Sequence, residues 1–334
     1  MLNRRHLRIK VLQTLYAFSQ HEDKEFLWAK KELFKAVNQM YELYISLLMI
    51  FPELKHKAEH RIEENKKKML PSEEDLNPNL KFYDNQIIRI LEESAELRHQ
   101  SEDLKANWMG DEKQELIRKM YNHIRQSEIY FEFMNNEKSG FEEDKEFMVQ
   151  LFKTEIANFP LLFDNLEERS VYWMDDIDLA CSMVIKTIKS FKEVELKSED
   201  TEVETESEEK AGEVKNSILP LYKPNDDEEE FLADLLRQAI KLRPENLKLI
   251  DVLTDNWELD RIAKMDVLLM ELAITELVTF SNIPTKVTLN EYIEISKFYS
   301  TPKSNQFING VLDKAIAKLE SEGKINKIGR GLMK

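Results

Sequence analysis

Apolar positions along this chain recur mainly at helical spacing. Leu33, Val37, Met40, Tyr44, Leu47 and Phe51 are separated by 4, 3, 4, 3 and 4 residues. Such a seam predicts one amphipathic helix over Glu25–Phe51. Pro52 is a point where it kinks or restarts, and the charged continuation to Lys68 has little to bury, so it is a solvated or a frayed helix. The same period predicts helices over Tyr83–Gln100, Lys113–Asn135, Phe141–Ala157 and Val171–Phe191. Further on it predicts Glu228–Lys241, Glu245–Leu253, a short helix near Leu259–Lys264, and Asp266–Phe280. Thr288 and Glu291 have the spacing of a capping box, which predicts a helix from there to Tyr299. Ser304 is placed to cap a last helix ending near Glu320, with Gly323 as its stop. Gly310, inside that helix, leaves room for another backbone to approach. No segment alternates convincingly as a strand, so the fold class is all-α.

Charge changes the picture in the middle of the chain. Val194–Glu230 holds 14 acidic and 4 basic residues, a net of −10 out of −16 for the whole chain. It reads as a disordered acidic linker, a spacer or an acidic tail for basic partners. Only 7 glycines occur, and no two are adjacent, which excludes a glycine-rich phosphate loop and hence cofactor-dependent RNA methyl transfer. The single cysteine, Cys181, cannot form an intramolecular disulfide and sits on an apolar stripe as an inert thiol. The N-terminus lacks a secretory pattern, and the longest apolar stretch, Ile45–Phe51, is far below the roughly 20 residues that span a bilayer. The expectation is a soluble cytoplasmic protein without a membrane segment or a cofactor. His56 and His60 match an H-x-x-E-H spacing, but Lys55, Lys57 and Arg61 flank them and oppose a divalent cation, so they read as a charged helix surface rather than a metal site.

Residues 1–18 carry Arg4, Arg5, Arg8 and Lys10 and no acid. Leu7, Val11, Leu15 and Phe18 form a core stripe. Arg5, Arg8, Leu12 and Tyr16 fall in an adjacent arc about 80° wide. Guanidinium groups beside an aromatic ring suit a single-stranded nucleic acid; a solvated basic flank is the other reading. The tail Lys324–Lys334 is also basic. Near the C-terminus, Tyr299 and Phe307 bracket a turn whose following amides form a natural phosphate seat. Those two rings either stack on bases or plug a helix corner.

At this point the residues resemble a known family. Trp257, Arg261, Asp266, Glu276, Pro284, Val287, Asn290, Glu291 and Lys297, with the run Phe307, Asn309, Gly310, Val311, Leu312 and Asp313, stand in the pattern of the NusB family. Arg4–Arg8 and Gln13–Tyr16 resemble its arginine-rich first helix. The resemblance implies a pair of small helical bundles, here with an additional helical insertion. The division it implies is 1–20 as first helix, 21–193 as insertion or extended N-terminal bundle, 194–230 as acidic linker, and 231–334 as C-terminal region with a basic tail. It also implies a non-enzymatic role in transcription antitermination. Such a protein binds the boxA element of ribosomal RNA leader transcripts as single-stranded RNA, with the ribosomal small-subunit protein NusE, within a transcription elongation complex. RNA contacts are implied at Arg5, Arg8, Gln13, Tyr16, Tyr299, Ser304, Phe307 and Asn309, with Arg4 and Lys10 as extras. Asp266 and Glu276 are implied as protein-partner contacts. Lys303 departs from the acidic residue often seen there. The account requires the two chain ends to converge, with Arg8 and Phe307 on one face. The alternative from another class is a helical protein-interaction scaffold without direct RNA binding.

Overall fold

The computed structural model describes residues 3–21, 25–193, 216–223, 227–254 and 261–332. Among these the chain is helical: α1 (Arg4–Gln20), α2 (Phe26–Lys66), α3 (Glu73–Leu76), α4 (Gln86–Glu93), α5 (Ala95–Asp103), α6 (Asp111–Ile124), α7 (Glu128–Asn135), α8 (Phe141–Leu151), α9 (Pro160–Arg169), α10 (Ile177–Ser190), α11 (Glu228–Leu253), α12 (Lys264–Thr279), α13 (Thr285–Tyr299) and α14 (Ser304–Ser321). No strand occurs among the described residues, and none of their helices is long and apolar enough to cross a membrane. The chain divides into two compact units, Met1–Val37 with Pro220–Lys334, and Asn38–Leu219. These boundaries fall inside α2 and at Pro220.

In the first unit α12 is the centre. Its sequence is apolar on all sides, and it is buried from Asp266 to Leu277 beneath α1, α11, α13 and α14. α11 is one helix where two were expected. Pro244 lies within it, and the buried Leu235, Leu236, Ala239 and Ile250 on either side hold the helix together across the lost hydrogen bond. Gly323, at φ +66°, closes α14 as expected: its amide bonds Glu320 O and that of Lys324 bonds Leu319 O. The basic tail is not free. Lys327 Nζ reaches Phe280 O at 2.9 Å, and the Ile328 amide bonds Ser281 O at 3.0 Å. Trp257 and residues 259–260 of the short helix expected near Leu259–Lys264 lie outside the described residues, and Lys264 itself starts α12.

Gly310 does not serve a close backbone approach. It is exposed, and a Cβ built there meets nothing within 4 Å. Gly310→Ala is therefore expected to stabilise α14 by about 0.5–1 kcal/mol, read as a higher midpoint in urea unfolding.

Glu271 is buried on α12, with Arg243 of α11 donating to its Oε2 at 2.9 Å and its Oε1 unpaired. Burial pushes this carboxyl up to about 7, against the opposing field of Arg243. A raised folded-state value means the native state holds a proton that the unfolded chain has lost. Its contribution is full below the unfolded value near 4.5 and is lost as pH rises through about 7. Thermal melts are expected to drop between pH 5 and 8, and Glu271→Gln to flatten that slope.

The second unit has its core on the remainder of α2. Met40, Tyr44, Leu47 and Phe51 are all buried, as the seam implied, and so is Leu54 beyond it. α2 runs through Pro52 to Lys66 without ending, held by buried Leu48, Ile50, Phe51 and Leu54 around the proline. α8 packs against α4, α7 and α10, with the Phe133 and Phe147 rings stacked 3.7 Å apart. Two expected helices are each split by a serine. Ser94 accepts from the Leu97 amide to start α5, and Ser127 from the Tyr130 amide to start α7. α9 was not expected; Pro160 at its first position starts it. Cys181 is half-buried on α10, and burial pushes its thiol up to about 11. Most of the expected acidic linker, 194–215 and 224–226, lies outside the described residues. Its described part is docked: Ile218 is buried, and the Leu219 amide donates to Tyr44 Oη at 3.0 Å.

Candidate nucleic-acid interface

α1 begins with Asn3, whose side chain accepts from the His6 amide while His6 Nδ1 accepts from the Asn3 amide. This reciprocal cap fixes the direction in which the arginine-rich helix leaves the turn. α1 packs on α11, α12 and α13. Leu7, Val11, Leu15 and Phe18 are buried as the wheel predicts. The buried face is wider than the wheel implied, because Arg8, Lys10, Leu12 and Thr14 are buried as well.

Arg8 is only 2% exposed, and its guanidinium clamps Glu276 of α12 through two bonds of 2.7 Å each. Thr288 Oγ1 donates to Glu276 Oε1 at 2.8 Å, and Tyr292 Oη to Oε2 at 3.2 Å. Burial opposes the charge on Arg8, but the field and hydrogen bonds of Glu276 outweigh it and hold the guanidinium above its ordinary range. Burial, reinforced by Glu276, raises the Tyr292 hydroxyl well above its usual value, so it remains a donor. About one turn toward the start of α1, Arg5 clamps Glu291 of α13 through two bonds of 2.9 Å. The capping box expected at Thr288 and Glu291 does not form. α13 starts at Thr285 after Pro284, and both side chains are spent on this network.

The sequence-derived site residues therefore separate into two groups. Arg8 and Lys10 lie in the interior and offer no surface to RNA, and Glu276, fully buried beneath Arg8, offers none to a protein partner. Asp266 is buried too and accepts from Ser300 Oγ. Ser304 is buried, its hydroxyl shared with Thr301 at 2.7 Å. These side chains are spent inside the fold: Arg8, Glu276 and Asp266 join helices, and Ser304 closes the turn before α14.

The second group stays near solvent. Arg4 lies over the Phe231 ring at 4.9 Å and pairs with Asp227. Together with the 40% exposed Arg5 side chain it borders a hollow of about 530 Å³ that also touches Asn282 and Pro284. Toward the other end of α1, Gln13 Nε2 donates to Tyr299 Oη at 3.2 Å, which joins the first helix to the end of α13. Tyr16 is 40% exposed, with the Lys264 ammonium 5.5 Å from its ring centre. Sequence reasoning missed Lys264, which stands at the first position of α12. Four residues after Ser300, α14 starts without any side-chain cap and without an acid in its first turn. Its leading amides are accordingly open to an anion, beside the exposed Lys303 and the half-buried Phe307. Asn309 lies one turn further, bonded to Asp313 at 3.1 Å. The expected pairing of Arg8 with Phe307 on one face is not what forms: Arg8 is buried, and the contact made is between α1 and α13, Gln13 with Tyr299.

Comparison with known proteins adds a family. A family model described as "NusB family" matches residues 185–317. The transcription antitermination protein NusB of Salinibacter ruber is 44% identical over 104 residues, 31% of this chain and 65% of the relative. The protein of the same name from Chloroherpeton thalassium is 49% identical over 79 residues, 24% of this chain and 37% of its own length. That of Listeria monocytogenes is 38% identical over 87 residues, 26% of this chain and 68% of the relative. The chain thus spans less than two thirds of the Salinibacter and Chloroherpeton relatives. No solved structure matches it.

Proposed function

Because the chain belongs to the NusB family, we propose that it is a transcription antitermination factor that binds boxA-like single-stranded RNA jointly with NusE. It acts by equilibrium binding, without a chemical step. The observation that supports this reading is the grouping of Gln13, Tyr16, Lys264 and Tyr299 where α1 meets α13. The ring of Tyr16 gives a base a stacking face, and Lys264, Lys303 and the uncapped amides of α14 give phosphates a seat. Net acidity does not oppose this, since charges beyond a Debye length of about 8 Å are largely screened from the site.

Anisotropy titration of a labelled boxA-like RNA, with and without NusE, tests the proposal. Affinity should fall with salt at a log–log slope of roughly −0.7 per phosphate contacted, and Lys264→Glu with Lys303→Glu should flatten that slope. Binding of NusE with no RNA affinity in either setting would leave the scaffold reading in its place.

A further inference from the structure

The second unit holds a cavity of about 640 Å³ that no part of the reading above uses. Its walls are the charged end of α2, the turn at 77–83, the end of α6, and α7. Arg61 of α2 and Arg125, directly after α6, both line it and are half-buried. Neither guanidinium has an ion pair or hydrogen bond to another described residue. Both act electrostatically on the Tyr121 and Tyr130 hydroxyls, which places the two cations at the same wall. A guanidinium presents a planar fork of donors that matches a phosphate bidentately. Lys68, on the same lining, is already held by Asp75 at 2.9 Å. The acid Glu74 is exposed at the rim.

The remaining lining suits a planar ring. Phe131 of α7 is 66% exposed at the cavity. Burial holds Tyr121 and Tyr130 neutral, and Tyr130 donates to the Tyr121 hydroxyl, which leaves the Tyr121 proton to donate onward. The side-chain amides of Asn65 and Asn77 also line the cavity and make no hydrogen bond with other described residues. An amide offers both donors and an acceptor, as a base edge requires. The volume lies within the usual range for a small-molecule site, roughly 300–1,000 Å³.

We propose that this cavity binds a nucleotide, with its phosphate between Arg61 and Arg125, its base against Phe131, and the base edge read by Asn65 and Asn77. The nucleotide is either free or part of a single-stranded RNA. The site shares no residue with the α1–α13 surface, so the two proposals stand or fall separately.

The test is fluorescence titration of the full chain with mant-ADP and, in a second arm, with a short labelled single-stranded RNA. The comparison variant is Arg61→Gln with Arg125→Gln. Saturable mant-ADP binding that weakens at least tenfold in the variant supports the proposal with a free nucleotide as ligand. Absence of mant-ADP binding, with RNA affinity lowered at least tenfold in the variant, supports it with an RNA nucleotide as ligand. Phe131→Ala should weaken the same arm, and circular dichroism melts check that each variant is folded. No binding of either probe, or binding unchanged in both variants, overturns it.

Discussion

Arg8→Ala is expected to lower the unfolding free energy by about 3–5 kcal/mol. The substitution leaves the Glu276 carboxylate buried between Thr288 and Tyr292 without its guanidinium partner, with only the more distant Lys327 to offset it. Most of the loss is the penalty of that stranded charge, not the net worth of the pair. Arg8→Met with Glu276→Leu should therefore recover much of the stability, since both desolvated charges leave together. Urea unfolding of the two variants checks this. Equal destabilisation by the single and double changes would mean that the Arg8–Glu276 pair is not what is being broken. Arg8→Glu, which on the helical wheel alone looks like a surface charge reversal, should unfold this unit outright.

Tyr16→Ala combined with Phe307→Ala is expected to weaken RNA binding about thirtyfold or more, because stacking is worth about 1–3 kcal/mol per base. Tyr16 is exposed, so its removal should leave the urea midpoint unchanged. Phe307 is half-buried, so the single variants must be unfolded alongside the double to separate lost binding from lost fold. Unchanged affinity in a folded double variant would remove the stacking surface from the account.

The sequence carried the helical class and the long seam of α2 because apolar periodicity reports directly which face of a helix is covered. The end of α14 was legible for a local reason as well: Gly323 supplies the left-handed residue that stops a helix. Ser94 and Ser127 were not legible as breaks, since the apolar spacing runs on across both. Their hydroxyls start a new helix by accepting an amide three residues later. The break expected before Glu245 misled in the opposite direction, because burial on both sides of Pro244 outweighs one missing hydrogen bond, whereas past Pro52 the solvated-helix reading holds.

The site was legible in part. Gln13, Tyr16 and Tyr299 do share a surface region of one unit. Arg8 could not be assigned from α1 alone, because its partner lies 268 residues away and a wheel cannot show an acid on a different helix. The signal that could have found it lay on α13. Thr288, Glu291 and Tyr292 recur at helical spacing on one side, a polar stripe suited to a buried acid and its arginine, although Thr288 and Glu291 also match a capping motif. Lys264 had no such signal; its place beside Tyr16 follows only from how α12 packs on α1.

Photo-crosslinking tests the central claim most directly. A boxA-like RNA carrying 4-thiouridine is irradiated on the full chain with NusE, and the crosslinked peptides are identified by mass spectrometry. Adducts are predicted in the peptides containing Tyr16, Tyr299 and Phe307. Adducts confined to residues 38–219 would contradict the account.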